Sequence, residues 1–180
     1  MKGEKGFTLA EMLVAMVVAG LVMTAAYATY MTQSRSYKTN EQMTALQQNL
    51  RSAMYHLERE LRMAGYNPSV SMTVKFGFTN IDADNVTFTT DSNGNGVLDT
   101  TETITYSRNA TENTLTREAG AGAQPIALNI TAFSLAYIKE DGTVAASAND
   151  VRSVDITITA NDGNHTRTLS SRVRCRNLGL

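Results

Sequence analysis

One cysteine, Cys175, is all the chain has in 180 residues, so no disulfide can form within it. Cys175 alternates with Arg172, Arg174 and Arg176, which points it toward a core as a buried, inert thiol. The two histidines, His56 and His165, lie far apart in sequence. Their spacing suggests no Cys/His metal cluster and no Ser-His-Asp or Cys-His arrangement, so no enzyme is expected. Tryptophan is absent, and proline occurs only at positions 68 and 125. The formal net charge is −1, which is no footprint for nucleic acid. The one basic concentration is Arg167, Arg172, Arg174 and Arg176. The last three share one strand face, read either as a solvated face or as a contact for something acidic.

Charge is scarcest between Phe7 and Tyr30, where Glu11 is the single charged residue of an apolar run. Residues 9–30 would span roughly 33 Å as a helix, enough to cross a bilayer. Lys2 and Lys5 precede the run and would stay cytoplasmic, which sends the rest of the chain to the far side. A carboxylate in hydrocarbon costs about 2.5 kcal/mol or more at a helix centre, so Glu11 reads as functional. An ordinary secretory signal cut after Ala26-Tyr27-Ala28 is the competing reading, and a plain single-span anchor is a third.

The run opens Lys5-Gly6-Phe7-Thr8-Leu9-Ala10-Glu11-Met12-Leu13-Val14-Ala15. This resembles the leader of type IV prepilins and type II secretion pseudopilins: a short basic leader ending in Gly, then Phe-Thr-Leu-x-Glu, then about twenty apolar residues. The resemblance implies that a prepilin peptidase cuts between Gly6 and Phe7 and that the new Phe7 amine is N-methylated. It also implies that Glu11 pairs with that amine, its own or a neighbour's, during assembly. Losing leader 1–6 removes two lysines and one glutamate and takes the net charge from −1 to −2.

The helical pattern does not stop at the membrane. From Thr32 to Ala64 there is neither glycine nor proline. Met43, Leu46, Leu50, Ala53, Leu57, Leu61 and Ala64 recur at steps of three and four, one face of a helix. Gln47, Gln48, Arg51, Glu58, Arg59 and Arg62 occupy the other face, with Glu58 and Arg62 as an i, i+4 pair. Gly65 and Pro68 are stop signals. One helix is expected from about Thr8 to Ala64, apolar all round over 7–30 and amphipathic over 31–66. Ala15, Ala19, Gly20 and Ala26 would allow close approach by other helices.

From Val70 the period changes to two, with β-branched residues and Asn/Gly turns. Strands are expected at 72–78, 85–90, 103–107, 113–117, 126–139 with a break, 151–160 and 165–174. Loops are expected at 108–113, 119–124 and 145–150. Asn161-Asp162-Gly163-Asn164 marks a hairpin between the last two strands. The fold class is α+β: a long N-terminal helix, transmembrane in its first half and amphipathic in its second, packed on an antiparallel β domain over 67–180. A pilin-like fold is also what the resemblance implies.

Residues 91–102, Asp-Ser-Asn-Gly-Asn-Gly-Val-Leu-Asp-Thr-Thr-Glu, fit the calcium-loop pattern D-x-[DN]-x-[DN]-G-x5-E without a mismatch. Asp91, Asn93 and Asn95 would give side-chain oxygens, Val97 its carbonyl, Asp99 a direct or water-mediated ligand and Glu102 a bidentate carboxylate. Leu98 suits anchoring such a loop to a core. The flanks read as strands, so this is no EF-hand, and a bare Asn-Gly turn explains the same residues.

The expectation for function is a minor pilin-like subunit. Met54-Tyr55-His56-Leu57-Glu58-Arg59-Glu60-Leu61-Arg62-Met63-Ala64-Gly65-Tyr66 is similar to PilW-like minor pilins, and the C-terminal disulfide loop of some pilins is missing. The J-type pseudopilin of type II secretion is the alternative. A secreted calcium-binding β domain is an alternative of another class. Expected partners are a prepilin peptidase, other pilin or pseudopilin subunits, and the inner membrane before assembly. The C-terminal domain would be periplasmic, then part of a pilus or pseudopilus.

Overall fold

The structure, a computed structural model, describes residues 6–69 and 74–178. Helix α1 (Leu9–Met63) has 55 residues, within one residue of the expected bounds at each end. It ends where Gly65 adopts φ +79, a left-handed conformation that ordinary side chains avoid. A Cβ at Gly65 would lie 2.5 Å from the end of the Leu178 side chain, which would have to move aside. Two compact units divide the chain, Met1–Thr44 and Ala45–Leu180.

Among the described residues the second unit holds eight strands, all paired antiparallel. Strands β1 (Phe78–Ile81), β2 (Asn85–Thr89), β3 (Thr103–Asn109), β4 (Thr114–Glu118) and β5 (Ala123–Ala127) form one sheet in that order. Strands β6 (Ile130–Ile138), β7 (Ser153–Asn161) and β8 (Thr166–Arg174) form a second. The division falls inside the long strand expected at 126–139, at Leu128-Asn129, where Asn129 takes φ 61. Asparagine tolerates that region, and the corner sends the chain from one sheet into the other.

A strand expected at 72–78 is displaced. Residues 72 and 73 lie outside the described residues, 74–77 are not strand, and β1 starts at Phe78. Gly77, at φ +152, breaks the extended run; its carbonyl accepts from the Thr89 N–H of β2 at 2.8 Å, and the strand register starts at Phe78. The expected loops are shorter than their sequence suggested. Arg108 and Asn109 complete β3, Ala123 and Gln124 open β5, and a short 3-10 turn, Ala148–Asp150, sits in the third loop.

Leu46, Leu50, Ala53, Leu57 and Leu61 of α1 share one core with both sheets. Val86, Phe88, Ile104, Tyr106 and Leu115 come from the first sheet; Ile130, Phe133, Leu135, Val154, Ile156 and Ile158 come from the second. The alternation in β7 is complete: Val154, Ile156, Ile158 and Ala160 are buried between half-buried polar neighbours. Met54 is also buried, so the apolar stripe on α1 is wider than the seven positions read from its period. The Phe78 ring stands edge-on to Phe88 at 6.1 Å and to Tyr137 at 5.9 Å, joining the sheets. Polar side chains of α1 fix its placement. Glu60 accepts from the Tyr106 hydroxyl at 2.7 Å and the Arg117 Nε at 2.9 Å. Glu58 accepts from Ser171 of β8, and the Asn49 amide donates to the Leu128 carbonyl at 2.7 Å. Val173 and Cys175 face the core, and burial pushes the Cys175 thiol up to about 12.

Candidate functional sites

The apolar N-terminal part of α1 is exposed along its length, and it is the one helix among the described residues long and apolar enough to cross a membrane. Gly6, Phe7 and Thr8 precede it outside helical geometry, with Phe7 85% exposed. Thr8 and Glu11 form a reciprocal cap. The Thr8 N–H and hydroxyl donate to Glu11 Oε2 at 2.8 and 2.9 Å, and the Glu11 N–H donates to the Thr8 hydroxyl at 3.3 Å. This satisfies two orphan donors of the first helical turn and the carboxylate at the same time. In hydrocarbon such pairing is worth more than at a wet surface, because no water replaces a lost partner. Ala15, Ala19 and Val22 line a shallow groove beside Glu11.

Gly6 has room around it. A Cβ there would meet nothing within 4 Å, and Gly6 is not among the glycines of positive φ. The fold therefore has no need of glycine at position 6. Any requirement for it must come from a surface that the chain meets.

The 91–102 loop joins β2 to β3 and closes on itself. Asp91 is fully buried, and its carboxylate accepts from the Gly94 N–H at 2.7 Å and the Gly96 N–H at 3.0 Å. Gly94 and Gly96 take φ 76 and 72, which lets those amides turn inward. Glu102, 1% exposed, accepts from the Ser92, Asn93 and Asp99 N–H groups at 2.8, 3.3 and 3.1 Å. Burial pushes the Glu102 carboxyl up, but these bonds outweigh it and hold the group below its ordinary value. Asp99 accepts from the Asn93 and Asn95 amides at 2.7 and 3.1 Å. The oxygens of those amides accept from the Asn95 and Val97 N–H groups at 2.9 and 2.8 Å. No group of three His, Cys, Asp or Glu side chains gathers as a metal cluster among the described residues. Leu98, expected as an anchor in the core, is instead 42% exposed and takes no part in the core cluster.

Residues 1–27 match the prokaryotic N-terminal methylation motif. Residues 39–175 match the family model of prepilin peptidase-dependent protein B. The chain belongs to the prepilin peptidase-dependent protein B family. It is a pilin-like minor subunit processed by prepilin peptidase and anchored by its N-terminal helix. Among curated proteins nothing matches it.

Two features of this family member escaped the sequence reading. The Thr8–Glu11 cap was legible as T-x-x-E before an apolar run, a sign that the resemblance to the prepilin leader overshadowed. The Glu60–Tyr106–Arg117 cluster was not legible, since its members lie 46 and 57 residues from Glu60 in sequence. The arginines of β8 divide. Arg172 pairs with Asp155 at 2.7 Å and Arg174 with Glu140 at 3.0 Å, which spends their charge within the chain.

Proposed function

We propose that this subunit serves in a type IV pilus as a structural, non-catalytic part. The peptidase cuts between Gly6 and Phe7, and the Phe7 amine is methylated. Residues 7–30 hold the chain in the inner membrane with the β domain in the periplasm. Assembly with other pilin subunits then proceeds through the N-terminal helix. The observation that carries this reading is the single intramembrane carboxylate, Glu11, held at the first helical turn beside a groove of small side chains. It lies four positions after Phe7, close to where a new amine would appear. On assembly the carboxylate gains that amine, its own or a neighbour's, as a partner and keeps a Thr8 hydrogen bond. An ion pair out of water holds only if both members keep hydrogen bonds, and Thr8 supplies one to Glu11.

Glu11→Ala is expected to insert and be cut normally but to be missing from sheared filaments. Mass spectrometry of the membrane fraction and immunoblots of sheared pili check this, and wild-type incorporation of the variant overturns the pairing. Deleting the gene distinguishes the two machines. Loss of surface pili with protein secretion intact supports the pilus; loss of secretion with pili intact assigns the subunit to a type II pseudopilus.

A second reading, calcium binding by the β domain, is favoured by the burial of Asp91 and Glu102. Neither carboxylate has a Lys or Arg partner among the described residues. Buried charges are ordinarily paired or bound to a metal. Asp91, Asn93, Asn95, Asp99, Glu102 and the Val97 carbonyl form an all-oxygen donor set, which suits a hard cation. Turning the two Asn amides end for end would present their oxygens, at the loss of hydrogen bonds worth about 1 kcal/mol each. Calcium is expected to raise the melting temperature of the chain and a chelator to lower it. At a hundredfold excess over Kd the gain is about 2.7 kcal/mol. Glu102→Gln is expected to remove most of the calcium-dependent shift and Asp99→Asn less of it. A flat calorimetric titration into the millimolar range leaves the loop as a self-closed turn.

A further inference from the structure

Among the described residues, most charged side chains of the β unit find partners within it, but three arginines, Arg51, Arg59 and Arg176, do not. Arg59 on α1 and Arg176 after β8 make no hydrogen bond or ion pair among the described residues. Both line a cleft of about 450 Å³ where the end of α1 meets the C-terminal segment. Tyr55, Arg62, Met63 and Tyr66 complete its apolar and basic walls. Tyr55 is 63% exposed and Met63 43%, which is costly for side chains of that size unless something covers them. Glu58, also at the cleft, is taken up by Arg62 at 3.3 Å and by Ser171, so it leaves Arg59 and Arg176 uncompensated.

Arg51, Tyr55 and Arg59 follow one another four residues apart, so the basic and aromatic character continues along one exposed helix face. Tyr, Arg and Met are the residues enriched where protein interfaces bury their hot spots, while Lys is depleted there. The cleft holds three arginines and no lysine. A guanidinium is weakly hydrated and matches a carboxylate with two parallel bonds, so it gives up water for an acidic partner more readily than an ammonium would.

We propose that this cleft docks an acidic segment of a neighbouring pilin-like subunit. Carboxylates of that segment pair with Arg59 and Arg176, and an apolar side chain beside them packs against Tyr55 and Met63. The proposal rests on the filament-subunit reading above. It adds to that reading a second contact, outside the membrane helix, that selects the neighbour by charge.

The test uses the full-length chain in its own cells, with a photo-cross-linking amino acid at Tyr55 or, separately, at Tyr27 in the apolar helix. Irradiation at Tyr55 is expected to join the chain to another prepilin-type subunit, at a peptide that mass spectrometry shows to hold Asp or Glu. Arg59→Glu with Arg176→Glu is expected to cut that product by about tenfold or more, since like charges across an interface cost several kcal/mol. The Tyr27 product stays unchanged, and so does the melting temperature, because neither arginine holds the fold. Changing the partner's acidic residue to Lys restores the Tyr55 product. Cross-linking from Tyr27 but none from Tyr55, or a Tyr55 product indifferent to charge reversal, overturns the docking site and leaves the filament reading standing. No subunit joined from either position removes the filament reading together with the docking site. A product made of two copies of this chain overturns the choice of partner.

Discussion

Gly6→Val leaves the chain uncut. Nothing within the protein objects to the substitution: a Cβ at Gly6 meets open space, and the backbone there is not in a glycine-only conformation. The variant therefore folds and inserts as before, and any loss is read at the peptidase. An enzyme pocket discriminates one extra methylene by about 1–3 kcal/mol, or roughly 10–200-fold. Valine adds three carbons and a branch at Cβ, so cleavage is expected to fall to background. Gly6→Ala, with one carbon, is expected to be cut slowly but measurably. Intact mass of the membrane-held protein separates the forms, since the precursor keeps its six-residue leader. Normal processing of Gly6→Val would falsify the assignment of the scissile bond, whatever else the variant did.

What the sequence made legible is what local pattern can carry. The α1 bounds followed from an unbroken 3.6-residue period and a Gly-then-Pro stop, both local properties. The β7–β8 hairpin followed from strict alternation around an Asp-Gly turn. Which strands share a sheet is non-local, and the split at Asn129 had only a lone asparagine as its sign. The same holds for Glu60. It sits on α1 as one more charged residue until the fold brings Tyr106 and Arg117 to it, and burial then raises the Tyr106 hydroxyl far above its ordinary value. At the candidate sites the residue types were legible and their partners were not. Glu11 stood out as a lone charge, and its engagement by Thr8 had only the T-x-x-E spacing as a sign. The 91–102 pattern was complete, yet it did not say that the amide nitrogens of Asn93 and Asn95 turn toward Asp99.

Leu57→Asp is expected to unfold the β unit. Leu57 is wholly buried on the face of α1 that both sheets cover. Removing a buried leucine to alanine costs about 2–5 kcal/mol, because neighbouring side chains cannot close the cavity. Aspartate leaves a similar cavity and adds an unpaired carboxylate, which must either be desolvated or take up a proton, at a further cost of about 1–3 kcal/mol. Domains of this kind are stable by only about 5–15 kcal/mol, so one substitution removes a large share of the total. Leu50→Asp, about two turns earlier on the same face, is expected to behave alike. Tyr55→Asp, two positions from Leu57 but exposed, is expected to change stability by about 0.5 kcal/mol or less. Melting of residues 31–180, made without the membrane segment and followed by circular dichroism, orders the three variants. If Leu57→Asp melts with Tyr55→Asp near the parent, the face of α1 that meets the sheets has been assigned wrongly. The same melt reports on the basic cleft, because Tyr55 and Arg59 can serve a partner only if the fold does not already depend on them.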